Sequence, residues 1–244
     1  MPTVRTSAAA LTLGALLVVG CSDGGGESAS QVMATTTIWA DITEQVACGE
    51  IEVPSLVPPG ADAHSYEPSV RDADQLRNAE LVIANGLGLE QRMDDALTAA
   101  VEDGVPVSEV AHWGGTLDSD GREQGDPGQA VDELDPHLWM DPDRVAVAVP
   151  HVAQLLRDTT IEVGDDDLGR CAAEYVEELA ALSAEVEQTL SVVPAERRKL
   201  VTNHETLQYF ARRFGFEIVG AVLPSTDSLA ESSPRDLDEL AATM

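Results

Sequence analysis

The stretch DDLGRCAAEYVEELAALSAEVEQTLSVV, residues 166–193, decides the fold because it predicts one long helix in the middle of the chain. Its apolar side chains recur every three or four residues and therefore share one face of the helix. These are Val176, Leu179, Leu182, Val186, Leu190 and Val193. A helix of this length separates the chain into two segments that must each build a core of their own.

Strand and helix patterns alternate on both sides of this helix. Before it, MATTTIWA, IEVPSLV, ELVIANG and VPVSEVA are β-rich or continuously apolar, and helical patterns separate them. After it, KLVTN and FEIVGAVLP are strands, each followed by a helix. This alternation predicts an α/β fold with mostly parallel sheets, in two lobes joined by the long helix.

The predicted boundaries follow from this reading. We place the N-terminal α/β lobe at residues 32–165, the linking helix at 166–194 and the C-terminal α/β lobe at 195–244. The last segment shows only two strands and two helices, so we expect the C-terminal lobe to be incomplete in this sequence.

The N-terminal residues indicate export. Residues 1–20 carry an early arginine and an apolar run of signal-peptide length. The run ends in VVGC, which resembles a bacterial lipobox and implies cleavage before Cys21 and lipid on its thiol. Residues 21–31 then form a flexible tether. We expect a protein anchored by lipid outside the cytoplasmic membrane; an ordinary secretory signal with a chance cysteine is the alternative.

Two further cysteines, Cys48 and Cys171, remain once Cys21 is assigned to lipid. An exported chain meets an oxidising compartment, which favours a disulfide between them. Two buried free thiols are the alternative.

The charge balance restricts the possible partners. The chain has 14 Lys and Arg against 44 Asp and Glu, a net charge of −30. Nucleic-acid binding requires a basic surface, so that class is excluded. The charge is compatible with cation binding, although an acidic, solvated surface explains most of it.

Two of the five histidines lie at strand ends, where ligands gather in α/β proteins, and a third lies in a loop that could join them. His64 follows the strand IEVPSLV in a loop rich in Pro and Gly, and His204 ends the strand KLVTN. His137 lies between two Asp-Pro steps in DPHLWMDP, residues 135–142, where Asp141 and Pro142 predict a helix start. By contrast, His112 and His151 lack such framing, and we interpret them as structural or surface residues.

Imidazole is the commonest zinc ligand, and three of them leave one coordination position open. A ligating histidine also needs a partner for its second ring nitrogen. Acidic candidates lie nearby: Glu67, Asp135, Asp141 and Glu205. The separations are too long for a local motif, so spacing alone leaves scattered structural histidines as an alternative.

The motifs LVPPGADAHSYEPS, DPHLWMDP and LVTNHETLQYFARRFGFEIVG resemble, in this order, the metal-site motifs of a known family. These are the TroA-like or ZnuA-like receptors of zinc and manganese ABC importers. The resemblance implies two α/β lobes with a rigid connecting helix and a metal in the cleft between them. It also implies that His64, His137 and His204 are ligands, and that the partners are the importer permease and ATPase. We further expect a monomer without enzymatic activity.

The third ligand position favours Zn²⁺ as the bound ion. Manganese members of this family usually carry Glu there, whereas this chain has His204, and a nitrogen-rich shell suits zinc. A manganese receptor is the near alternative. The acidic loop 114–136 contains no histidine, unlike the His-rich loop of many zinc members; we interpret it as a disordered, solvated loop rather than a cation-gathering one. Asp227 is not assigned as the fourth ligand.

Two other classes remain for comparison. A three-His zinc hydrolase would need a general base, for which Glu67 and Glu205 are the nearby candidates. A surface adhesin would use the same fold with a structural metal.

Overall fold

A computed structural model describes residues 32–118, 121–124, 134–223 and 225–243. The strands are β1 (Val32–Ala34), β2 (Leu81–Ala84), β3 (Val107–Glu109), β4 (Thr116–Leu117), β5 (Glu123–Gln124), β6 (Lys199–His204) and β7 (Glu217–Leu223). The helices are α1 (Thr37–Val46), α2 (Val70–Arg77), α3 (Asp94–Glu102), α4 (Pro142–Arg157), α5 (Asp165–Leu190), α6 (Gln208–Phe214) and α7 (Pro234–Thr243). The predicted signal peptide, Cys21 and the tether lie outside the described residues.

Two parallel sheets confirm the predicted α/β class. In the first, β1, β2 and β3 are adjacent in that order, with Val32 beside Leu81 and Val82 beside Val107. All four residues of β2 are buried, as expected for a central strand covered on both faces. In the second, β6 pairs in parallel with β7. The long helix α5 lies between the two sheets in the sequence.

The buried face of α5 agrees with the predicted one except at one position. Leu179 is buried and the other predicted residues of that face are partly buried, whereas Leu182 is 47% exposed. The helix packs on α1 and α4, and the small residues Ala172 and Ser183 are also buried. Periodicity identified the helix, but the large apolar side chains did not all mark the packed face.

The segment predicted as the strand IEVPSLV is not a regular strand. Residues 51–57 make a single bridge, between Ser55 and Ala34. Pro54 lacks an N–H group, and here its carbonyl accepts from the backbone N–H of Ala34 at 3.0 Å. The pairing with β1 is therefore short, but it still delivers the following loop to the carboxyl end of β1.

The acidic loop is partly ordered. Within the expected loop 114–136, β4 and β5 form an antiparallel pair, with Thr116 beside Gln124 and Leu117 beside Glu123. Asp118 also forms a bridge with Leu134. The prediction of a structureless loop is wrong for this part, because backbone pairing does not depend on acidic side chains. Residues 119–120 and 125–133 lie outside the described residues.

Contacts from α6 join the C-terminal segment to the rest of the molecule. Tyr209 is fully buried in the main apolar cluster together with Trp39 and Leu138. Arg213 binds Asp143 of α4 at 2.6 Å and donates to the Ser183 hydroxyl of α5 at 2.8 Å. These contacts hold β6, and therefore His204, at a defined position relative to α4 and α5.

Cys48 and Cys171 form a disulfide, with their Cα atoms 5.5 Å apart. Cys48 lies just beyond the end of α1, and Cys171 lies in the second turn of α5. The bond therefore ties the start of α5 to the helix that follows β1. Across the described ranges, no helix is both long enough and apolar enough to cross a bilayer.

Replacing Cys48 and Cys171 together by Ala should lower the free energy of unfolding by about 2–5 kcal/mol, because the bond closes a loop with a sequence separation of 123 residues. Urea denaturation of the oxidised protein and the double variant measures the difference. Wild type in reductant is the matched control and should unfold with the variant. Equal midpoints for the oxidised protein and the variant would contradict this expectation.

Candidate metal centre

Three loops bring one histidine each to the same place. His64 lies in the turn-rich loop before α2, and α2 begins at a capping box formed by Ser69 and Asp72. His137 immediately precedes the short 3-10 turn Leu138–Met140, and α4 then begins after Asp141. His204 is the last residue of β6. Each histidine is therefore supported by a regular element next to it.

The ring nitrogens of the three histidines converge. The Nε2 atom of His137 lies 3.2 Å from Nε2 of His64 and 3.3 Å from Nε2 of His204. One ligand atom from each residue lies within 4.8 Å of the others. Within the part of the chain that the structure describes, this is the one group of His, Cys, Asp or Glu side chains with metal-site geometry.

His137 is oriented by Asp135. The Asp135 carboxylate Oδ1 accepts from the His137 ring Nδ1 at 2.7 Å and from its backbone N–H at 2.9 Å. Both residues are buried, at 0% and 2% exposure. With the proton on Nδ1, the Nε2 lone pair of His137 points at the other two rings. This carboxylate–histidine arrangement is the one that fixes metal-ligating imidazoles.

The geometry fits a cation better than it fits hydrogen bonds alone. The single Nε2 lone pair of His137 cannot accept well from both neighbouring rings, whereas one cation satisfies three lone pairs together. Nitrogens at about 2.0–2.1 Å from a tetrahedral zinc ion lie about 3.3 Å apart, close to both measured separations. Moreover, the buried Oδ2 atom of Asp135 has no hydrogen-bond partner among the described residues, and a nearby cation would compensate its charge.

The surroundings favour the neutral form of the His64 and His204 rings. Burial, and next the neighbouring His137 ring, lower the pKa of His64 from 6.5 to about 4, although Asp62 partly opposes this shift. Burial and the same neighbour also lower the pKa of His204. Neutral imidazole is the ligand form, so the site is prepared for metal without waiting for deprotonation.

Of the four acidic partners predicted from the sequence, the structure places only Asp135 on a ligand ring. Glu67 binds Arg92 at 2.8 Å, and its side chain is largely exposed. Asp141 caps α4 by accepting from the Asp143 N–H at 3.0 Å, as its position before Pro142 predicts. The Nδ1 atom of His204 has no hydrogen-bond partner within the described ranges, so Glu205 does not orient that ring.

Asp227 and Ser228, in the loop after β7, lie beside His64. No role at the site was predicted for them from the sequence. The Oδ1 atom of Asp227 lies 4.0 Å from Nδ1 of His64. The next residue, Ser228, donates to Asp62 at 2.6 Å, and Asp62 also accepts from the His64 backbone N–H at 3.0 Å. The short TDSL sequence carries no signal of these contacts, because they depend on how β7 returns the chain to the site.

The two remaining histidines lie away from the cluster. His112 is exposed and bonds Glu109 at 3.0 Å, while His151 is exposed on α4 and stacks on Trp113 at 4.5 Å between ring centroids. These positions agree with the structural or surface roles predicted from the sequence.

Comparison with known proteins identifies relatives over most of the chain. Residues 32–244 match the family described as ZnuA, zinc-uptake complex component A periplasmic. The zinc-binding protein TroA of Treponema pallidum is 31% identical over 98% of this chain and 75% of its own length. The manganese-binding lipoprotein MntA of Bacillus subtilis is 31% identical over 95% of this chain and 74% of its own length.

The fold agrees with a solved relative. The structure of the periplasmic zinc-binding protein TroA from Treponema pallidum superposes with a TM-score of 0.74 at 30% sequence identity. The match covers 87% of this chain and 73% of that one.

Zinc binding at about pH 6 should release fewer protons than three ordinary imidazoles would, because the pKa values of His64 and His204 are both lowered. Three imidazoles of ordinary pKa would release about two. Calorimetry in buffers of different ionisation enthalpy counts the protons, and a titration at about pH 8 provides the baseline. Release of about two protons or more at the lower pH would show that the rings are not kept neutral.

Proposed function

Because the chain belongs to the ZnuA family of metal-binding substrate-binding proteins of ABC importers, we propose that it captures Zn²⁺ outside the cytoplasmic membrane and delivers it to such an importer. The observation that carries the proposal is the convergence of three imidazole nitrogens at separations suited to tetrahedral zinc. Zinc is here the transported substrate, with His64, His137 and His204 as its ligands.

The donor set supports zinc over manganese. Three nitrogen donors suit zinc, whereas carboxylate and water oxygens suit manganese. The Oδ1 atom of Asp227 lies 4.0 Å from Nδ1 of His64, and Asp227 does not belong to the group of side chains with metal-site geometry among the described residues. Relatives named for zinc and for manganese are about equally similar to this chain, so the choice between the ions rests on the ligands themselves.

Capture requires no bond chemistry, and the site offers little for catalysis. A hydrolase would need a carboxylate aimed at a metal-bound water. Of the two candidate bases, the Glu67 carboxylate is engaged by Arg92, and neither Glu67 nor Glu205 belongs to the group of side chains with metal-site geometry among the described residues. A receptor role is therefore favoured over an enzyme. An adhesin role would use surfaces outside this site, and no contact described above favours it.

The proposed location follows from the N-terminal sequence. We infer a lipid anchor on Cys21, which would keep the receptor at the outer face of the cytoplasmic membrane, with residues 21–31 as the tether. The permease and ATPase of the importer would be its partners, and the receptor itself would act as a monomer.

Replacing His64, His137 and His204 together by Ala should abolish zinc binding, because no ring nitrogen of the cluster remains. Isothermal titration calorimetry and elemental analysis of the purified proteins measure the loss. The matched control is His151→Ala, which removes an exposed imidazole that lies away from the cluster. Retention of stoichiometric zinc by the triple variant would refute the proposed site.

His204→Glu should shift the preference from Zn²⁺ towards Mn²⁺, because it replaces a nitrogen donor by a carboxylate. The ratio of zinc to manganese stabilisation in a thermal-shift titration should fall relative to wild type. His112→Glu adds the same charge away from the cluster and serves as the control. An unchanged ratio would show that this position does not set the ion preference.

A further inference from the structure

We propose that Asn85, held by the buried carboxyl of Glu90, is a positioning residue for the metal ligand His137. Its side-chain amide donates to the carbonyl of Pro136 at 3.0 Å, and this carbonyl belongs to the peptide bond that leads into His137. Asn85 is completely buried and directly follows β2. The inference rests on the proposed metal-binding function.

Every hydrogen-bonding group of the Asn85 side chain is engaged. Its Oδ1 atom accepts from the Trp39 ring N–H at 2.8 Å, and its amide donates to Gly86 and Pro136 carbonyls at 2.9 and 3.0 Å. A buried amide satisfied on all sides has one orientation, because any rotation leaves a polar group without a partner. The Pro136 carbonyl is therefore held at a fixed point.

Glu90 fixes the backbone from which Asn85 projects. Its Oε1 atom accepts from the Asn85 N–H at 2.7 Å and from the Thr35 hydroxyl at 2.6 Å, and its Oε2 atom accepts from the Gly86 N–H at 3.0 Å. Thr35 directly follows β1. The Glu90 side chain thus links the C-terminal ends of the adjacent parallel strands β1 and β2 near the His137 segment. Burial raises the pKa of Glu90 to about 7.

The loop that carries Glu90 adopts a costly conformation. Gly86 and Gly88 have φ values of +80°, and Leu87 between them has a φ of +57° although it is not glycine. A Cβ atom at Gly86 would lie 2.7 Å from the Cβ of Glu109. A non-glycine residue with positive φ persists where the surrounding structure enforces it. In this conformation the loop turns back, so that the Glu90 carboxyl group reaches the N–H groups of Asn85 and Gly86.

Hydrogen bonds from two other elements also hold the segment before His137. The Tyr209 hydroxyl donates to the Asp135 carbonyl at 2.8 Å, and the Asp135 N–H donates to the Leu117 carbonyl at 2.8 Å. Asn85 supplies the contact from the β2 side. Without Asn85, the Pro136 carbonyl loses this donor, and the peptide before His137 is held at its N–H group by Asp135 alone. The Nε2 atom of His137 is then less precisely positioned relative to the other two rings.

Asn85→Asp tests the proposal, because it keeps the shape and the oxygen facing Trp39 but replaces the donor to Pro136 by a carboxylate oxygen. We expect zinc affinity to fall by about ten- to a hundredfold. We also expect the visible absorption of the Co²⁺-loaded protein, which reports coordination geometry, to change. Glu90→Gln, which is also isosteric, should lower the zinc affinity and change the Co²⁺ absorption in the same direction but by less. It provides the test if Asn85→Asp does not fold.

Two controls separate positioning from general destabilisation. Leu76→Ala removes a buried side chain from the second apolar cluster, away from this network, and should lower stability without changing affinity or the Co²⁺ spectrum. Asn78→Asp removes an amide donor to the Asp74 carbonyl at the end of α2, and it should change neither the zinc affinity nor the Co²⁺ spectrum.

Wild-type affinity in both Asn85→Asp and Glu90→Gln would overturn the inference, and so would an equal loss in Leu76→Ala. Failure of the wild-type protein to bind Zn²⁺ or Co²⁺ would instead overturn the proposed function, and the inference with it.

Discussion

The metal centre depends on one constraint, which is that side chains from distant parts of the chain must stay at fixed separations without an ion to hold them. The Tyr209 hydroxyl meets this constraint most directly. It donates to the Asp135 carbonyl at 2.8 Å and accepts from the Leu117 N–H at 3.1 Å, while its ring is buried among residues of the first half. Because Tyr209 lies on α6, directly after the loop that follows His204, the same contact helps to position two of the three candidate ligands, His137 and His204.

Local electrostatics complete the preparation of the site. The chain is strongly acidic, with a net charge of −30, yet burial and neighbouring imidazoles lower the pKa values of His64 and His204 in the cluster. The carboxylate that lies closest to it, Asp135, is buried and has one oxygen without a partner among the described residues. A divalent cation at the cluster would compensate the buried charge of Asp135 and would therefore be stabilised there.

Much of the fold was predictable because it depends on local patterns. The apolar run of β2, the periodicity of α5 and the Asp141-Pro142 start of α4 each follow from the residues concerned. The errors have physical causes as well. Leu182 was assigned to the packed face of α5 because apolar spacing does not show which neighbours a helix has. Residues 51–57 were assigned to a full strand because a pattern does not report how far a pairing extends.

By itself, the sequence indicated the candidate ligands His64, His137 and His204, because Pro-rich framing or a strand end marks each of them and because their motifs resemble those of a metal-receptor family. It also indicated Asp135, which is close to His137 in the chain. Only the tertiary structure decided that Glu67 binds Arg92, that Asp227 lies beside His64, and that Asn85 and Glu90 lie beneath the Pro136 peptide. The reason is that these contacts join residues far apart in the sequence. They depend on how separate strands and loops pack together, and no local sequence pattern reports that packing.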